Sequence, residues 1–258
     1  MKKFERVAGD RVEFLDERFY YAGDDDKGEP IFYPSVTSIL DMYPKGYFFN
    51  EWLKSVGFNA GQIADRAANA GTKVHAAVED LVQGSAPEWL DGSFTEEEWR
   101  GIMGFTDFCT RFKPRFIGSE IRVLSHKYRY AGTLDLVGYM DGKLWMWDVK
   151  FSNEIHDTAW LQLSAYKQAW EEKHPDLQIE EMGVLHLKAK TRTEGSKGAI
   201  QGKGWKCETP SDPAKKLFDI FLKVHGIYYY QNPNPQPKNY SLPTKLSLPK
   251  ECLIVNDK

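Results

Sequence analysis

The stretch Ala131-Gly132-Thr133-Leu134-Asp135-Leu136-Val137-Gly138-Tyr139-Met140-Asp141-Gly142-Lys143-Leu144-Trp145-Met146-Trp147-Asp148-Val149-Lys150 decides the fold. Asp141-Gly142 between two apolar-rich runs specifies a two-residue type I′ reversal, in which both central residues need positive φ. So tight a turn fixes the register. Met140 faces Lys143, and counting back along both strands Asp135 faces Asp148 and Thr133 faces Lys150. Strand side chains alternate, which puts Asp135, Asp148 and Lys150 on one face. Leu134, Leu136, Trp145, Trp147 and Val149 fall on the other. Toward the turn the charged face itself becomes apolar, with Val137, Tyr139, Leu144 and Met146, so both faces are expected to be at least partly covered.

Opposed strand residues have Cβ atoms about 5 Å apart, and like charges there repel. Two carboxylates so close raise the pKa of one of them unless a cation lies between. Mg²⁺ suits that position, because it takes one or two protein carboxylates together with waters and phosphate oxygens. Lys150, one pleat further on the same face, is placed to hold a water or to offset charge on a phosphate. Two carboxylates, an ammonium and an ion are the equipment of metal-assisted phosphodiester hydrolysis. The D-x-K pattern alone carries little, since acid-x-Lys recurs at Asp25–Lys27 and Glu171–Lys173. Only Asp148–Lys150 lies on a strand with an acid opposite in register. The plain structural alternative is an edge hairpin whose charges deter aggregation, which needs neither paired aspartates nor flanking tryptophans.

The rest of the 258-residue chain frames that hairpin. Hydrophobic residues make up 41% and charged residues 28%, and the 8 Trp, 13 Tyr and 15 Phe argue against disorder. The formal charge is −3, so any nucleic-acid footprint must be local. No run has the length of a signal peptide or a membrane span, and no membrane partner is expected. Cys109, Cys207 and Cys252 are far apart and form no C-x-x-C, which excludes a zinc ribbon or a Cys-ligated iron–sulfur cluster. A sparse, odd set of cysteines argues against a secreted disulfide scaffold; the expected setting is the cytoplasm of a bacterium or a phage-infected host cell.

Residues 11–33 read as short strands broken by the acidic turn Gly23–Gly28. Ser35 or Thr37 caps a helix, residues 45–56 form a short aromatic helix, and 59–83 are helical with a break near Gly71. Thr95 with Glu98 is a capping box that opens a helix through about Phe112. Strands are expected at about 116–125, 128–140, 143–151, 180–189 and near Trp205, with helices at 155–172 and 211–231. The class is α/β (α+β): a central sheet flanked by helices in a single domain. Residues 1–34 supply N-terminal strands, 35–231 the helices and core, and 232–258 a proline-rich tail, with Pro233, Pro235, Pro237, Pro243 and Pro249, expected to be extended.

Four segments resemble the PD-(D/E)XK nuclease superfamily, in particular its RecB-like branch and the phage exonucleases allied to it; the mitochondrial genome maintenance exonuclease is similar by motif. Gly71-Thr-Lys-Val-His75 resembles the G-x-x-x-H motif, Gly132-Thr-Leu-Asp135 the motif supplying an Asp ligand, Asp148-Val-Lys150 the catalytic D-x-K, and Gln162-Leu-Ser-Ala-Tyr166 the Q-x-x-x-Y of the following helix. Tyr33-Pro-Ser-Val-Thr-Ser-Ile-Leu40 also looks like the opening of many phage members. The resemblance spans about residues 33–170. It implies a restriction-endonuclease-like core with a mixed sheet, and a metal held by His75, Asp135, Asp148 and the carbonyl of Val149. It implies catalysis by Asp135, Asp148 and Lys150, supported by Gln162. Relatives that bind an iron–sulfur cluster carry four cysteines absent here, so no cluster is expected.

Imidazole suits Mn²⁺ better than Mg²⁺, so Mn²⁺ is expected to substitute for Mg²⁺. Glu79, one turn beyond His75, Glu120, before an Ile-Arg-Val-Leu run, and Tyr166 are candidates for indirect support of the ion; ordinary solvated or packed side chains are the alternative for each. Lys188, Lys190, Arg192, Lys197, Lys203 and Lys206 face a single acid, Glu194, in a glycine-rich segment. That local excess reads as a clamp on a DNA backbone, with Ser152 just past the hairpin beside it; a solvated loop is the alternative. The expected activity is a metal-dependent DNA exonuclease of phage or bacterial recombination, repair or replication. The competing readings are an endonuclease or junction resolvase on the same core, and a catalytically silent DNA-binding protein. Oligomeric state is open.

Overall fold

A computed structural model describes residues 11–14, 17–90, 92–188 and 204–237. Two sheets organise them. Strands β1 (Arg11–Phe14), β2 (Glu17–Asp24) and β3 (Pro30–Pro34) form an antiparallel sheet in that order. Asp25 closes the acidic turn between β2 and β3 by accepting the N–H groups of Lys27 and Glu29. The larger sheet has the order β4 (Arg115–Ser125), β5 (Tyr130–Met140), β6 (Lys143–Lys150), β7 (Glu181–His186), β8 (Lys206–Glu208). It is mixed: β6 and β7 run parallel and the other neighbours antiparallel. The parallel pair is joined by helix α5 (Asp157–Lys173), the crossover such a pair requires.

Both faces of the sheet are covered, as the apolar runs of the hairpin require. On one, Val137, Leu144, Met146, Met182 and Val184 pack with α1 (Val36–Leu40), α5 and α6 (Ala214–Gln231). On the other, Leu136, Trp147, Val149 and Leu185 pack under α3 (Ala60–Val82) and α4 (Glu96–Phe112). Ser35 caps α1 through Ser38 N, and Thr95 and Glu98 make both bonds of the capping box of α4. Helix α2 (Tyr47–Val56) and one 3-10 turn, Gly57–Asn59, lead into α3.

Two expectations need correction. Helix α3 runs unbroken through Gly71. A glycine there costs about 1 kcal/mol relative to alanine, and the packing of Val74, Ala77 and Val78 beneath α4 outweighs it. Leu134 does not share a face with Leu136 either: it joins the α5 side with Val137, whereas Leu136 joins the α3 side. The alternation slips at Asp135, between them. The basic residues Lys190, Arg192, Lys197 and Lys203, and the proline-rich tail beyond Pro237, lie outside the described residues. No helix among the described residues is long and apolar enough to cross a membrane.

Candidate metal centre at the β5–β6 fork

Asp141 and Gly142 both have positive φ, at 52° and 78°, and the pairs Met140↔Lys143 through Leu136↔Trp147 keep the register the turn imposes. Asp135 and Asp148 are the next two positions, and the ladder stops at them. Beyond this point β6 stays with β7, through Asp148↔Val184 and Lys150↔His186, while β5 stays with β4, through Thr133↔Arg122. Thr133 therefore does not pair with Lys150; its hydroxyl is 3.0 Å from Tyr20 OH. The physical cause is Asp135 itself. Its Oδ2 accepts the N–H of Val149 at 2.6 Å, so a side chain takes the place of a main-chain acceptor and the strands fork around it.

One branch of the fork gathers ligand atoms. His75 Nδ1 is 3.6 Å from Asp135 Oδ2, and one ligand atom from each of His75, Glu120 and Asp135 lies within 4.8 Å of the other two. The apolar stripe of α3 sets His75 there, because Val74, Ala77 and Val78 are buried against the sheet. Glu120 lies opposite Asp135 on β4, between the pairs Ser119↔Leu136 and Ile121↔Leu134. It has φ +48°, a conformation that costs a non-glycine residue about 1–2 kcal/mol and is held where the surroundings impose it. Although Glu120 as a residue is exposed, partial desolvation of its carboxyl, then Asp135 and Glu79, push it up to about 7, with His75 and Arg11 opposing. Glu79 is bound by Gln83 Nε2 at 2.9 Å and reaches Glu120 by charge.

The other branch is an ion-pair network. Asp148 is 1% exposed. Its Oδ1 accepts from Lys150 Nζ at 2.9 Å and from Gln162 Nε2 at 3.0 Å. Its Oδ2 is 2.8 Å from Lys150 Nζ but has no directed hydrogen bond. Burial raises the pKa of Asp148, Lys150 opposes, and Asp135 adds to the rise. For Lys150 burial works against the charge, but Asp148 and Asp135 outweigh it and hold the pKa above that of an ordinary lysine. Lys150 Nζ also approaches Gln162 Oε1, at 3.5 Å, and Gln162 Nε2 meets Tyr166 OH at 3.2 Å. Tyr166 is buried against Gly132, where a Cβ would fall 2.3 Å from its ring.

The trio adds one residue to the expected ligand set. The geometry groups His75 and Asp135 with Glu120, which was expected to act only indirectly; Asp148 is not among the three and is paired with Lys150. Val149, expected through its carbonyl, touches Asp135 through its N–H. Register explains why Glu120 was underweighted: the Asp-Gly turn fixes β5 against β6, but β4 is aligned only across a four-residue connection and a bulge between Phe116 and Gly118. The positive φ of Glu120 has no signature in a residue type that rarely adopts it.

Nitrogen and carboxylate donors at this spacing fit a divalent ion such as Mn²⁺ or Mg²⁺. Of the expected DNA contacts among the described residues, Lys188 is paired with Glu97 at 3.0 Å and lies 5.5 Å from the Phe151 ring centroid, and Ser152 donates to Glu154 O. Comparison with protein-family models and with curated proteins finds no match to the chain.

Proposed function

We propose that the chain is a divalent-metal-dependent deoxyribonuclease acting as an exonuclease. The observation that carries this reading is the fork: Asp135 bonded to the Val149 N–H, with His75 and Glu120 on one side and the buried Asp148–Lys150–Gln162 network on the other. A structural salt bridge needs no third and fourth ligand group beside it, and an edge hairpin needs no buried aspartate.

Asp135, His75 and Glu120 would hold the ion, beside the Asp148–Lys150 pair. Once bound, the ion supplies neutralisation of phosphate charge and a more acidic water. The chain's own residues do the rest. Lys150, held protonated by its two carboxylate neighbours, acts as a cation rather than a base: it orients the attacking water and offsets charge growing on the phosphoryl oxygens as the phosphorus–oxygen bond breaks. Gln162 fixes Asp148 and Lys150 together, and Tyr166 fixes Gln162. Action from strand ends is taken from the sequence resemblance.

The test is a gel assay of end-labelled single- and double-stranded DNA and of closed circular DNA, with Mg²⁺, Mn²⁺ or chelator. The proposal predicts ion-dependent loss of nucleotides from linear DNA while the circle stays intact. Cutting of the circle would make the protein an endonuclease, and no ion-dependent release from any substrate would refute the nuclease reading.

A further inference from the structure

Gln162 has a second side. A cavity of about 420 Å³ opens between α1, the start of α2 and the start of α5, and Gln162 forms part of its wall. The size falls in the range of small-ligand pockets. Leu40, Tyr43, Pro44 and Phe49 supply apolar and aromatic walls. The charged side chains are two carboxylates, Asp41 and Asp157, and one ammonium, Lys45, while His156, Thr37 and Thr158 add polar groups. Lys45 is already engaged, 4.0 Å from Asp41 and 5.4 Å from the Phe49 ring centroid, and burial together with the neighbouring Asp157 carboxylate raises the pKa of Tyr43.

A bare phosphate would meet the two acids Asp41 and Asp157, with Lys45 already paired to the first and His156 the one other basic side chain in the lining. The lining favours a flat, neutral group with an aromatic face and N–H donors on its edge. A nucleobase is such a group: its face stacks on an aromatic ring and its edge gives hydrogen to a carboxylate. Base pairing occupies that same edge, so only an unpaired base fits. Gln162 bridges the cavity to Asp148 Oδ1 at 3.0 Å, which sets the occupant one side chain from the proposed reacting centre.

We propose that this cavity receives the unpaired base of a strand's terminal nucleotide, so that the substrate of the proposed nuclease is a single-stranded or frayed DNA end. The inference rests on the nuclease reading for its substrate, and on the cavity's own lining for the base. The experiment measures binding of an internally labelled dodecamer of thymidylate by fluorescence anisotropy in chelator, against the same dodecamer lacking the base at one or the other terminal nucleotide. Phe49→Ala serves as the variant; Phe49 is 38% exposed, and a thermal melt confirms folding. The expected result is a loss of about tenfold in affinity on removing one terminal base, in line with stacking of about 1–3 kcal/mol per base, shrinking to less than twofold in Phe49→Ala. Equal binding of intact and abasic strands, or a difference that Phe49→Ala leaves unchanged, would overturn the proposal. Cleavage of the same strands in Mg²⁺ and Mn²⁺ separates the two claims. Cleavage without base-dependent binding refutes the pocket alone, and base-dependent binding without cleavage refutes the nuclease alone.

Discussion

The site controls the charge of Lys150 and of Glu120 in opposite ways. Lys150 is kept charged by Asp148 and Asp135 despite its burial. Replacing it by alanine should lower kcat about 10²- to 10³-fold, as loss of one transition-state stabilising donor does, with KM for DNA changed little; an equal loss in KM would make it a binding residue instead. Glu120, exposed as a residue, has its carboxyl pushed up to about 7 by partial desolvation and by the neighbouring acids Asp135 and Glu79. A carboxyl whose pKa is higher folded than unfolded adds stability at pH below its unfolded value, and that stability is lost as pH rises through the folded value. In chelator the melting temperature should therefore fall between pH 5 and pH 8, and Glu120→Gln should flatten the fall. A melting curve that rises over that window, or one that the substitution leaves unchanged, would remove Glu120 from the charged cluster.

At the scale of elements, the strands β4, β5 and β6 position the site by how closely their backbones approach. Gly138 on β5 faces the bulge of β4, where a Cβ would lie 2.6 Å from the carbonyl oxygen of Arg115. Backbone does not yield as a side-chain tip does, so Gly138→Ala should destabilise by about 1–3 kcal/mol. Gly71 on α3 has open space around its added Cβ and helical neighbours on both sides. Gly71→Ala should therefore stabilise by about 0.5–1 kcal/mol. Paired denaturant melts of the two variants check both signs. Gly71 also shows where local propensity misleads: glycine argues for a break in α3, and the buried stripe of Val74, Ala77 and Val78 overrides it. The β5–β6 hairpin was legible because Asp-Gly permits one turn and one register, and the capping box of α4 because its two residue types bond each other. The slip of alternation at Leu134 was not legible, because it follows from the Asp135 carboxylate bonding to the Val149 N–H, a contact that no periodicity encodes.

For the whole molecule, folding brings His75, Glu120 and Asp135 together, which makes the folded state a better cation host than the unfolded chain. An ion that binds only the folded state stabilises by mass action, about 2.7 kcal/mol at a hundredfold excess over its dissociation constant. Millimolar Mn²⁺ should thus raise the melting temperature of the wild-type protein by several degrees. It should not do so for Asp135→Asn, which in chelator should melt no lower than wild type because it removes one of the mutually repelling acids while keeping an oxygen for the Val149 N–H. A clear loss of stability in chelator would assign Asp135 a mainly structural role. The residues of the candidate site come from α3, β4, β5, β6 and α5. His75, Asp135, Asp148, Lys150 and Gln162 were legible from spacing and resemblance, but the partnership of Glu120 with them depends on the β4–β5 register, which only the folded chain defines.

The central claim is that the β5–β6 fork binds a divalent ion. Anomalous diffraction from crystals soaked in Mn²⁺ tests it most directly. One strong peak is expected at the fork, within coordination distance of His75, Glu120 and Asp135. A map with no peak at the fork, or with Mn²⁺ bound only at other acidic groups, would contradict it.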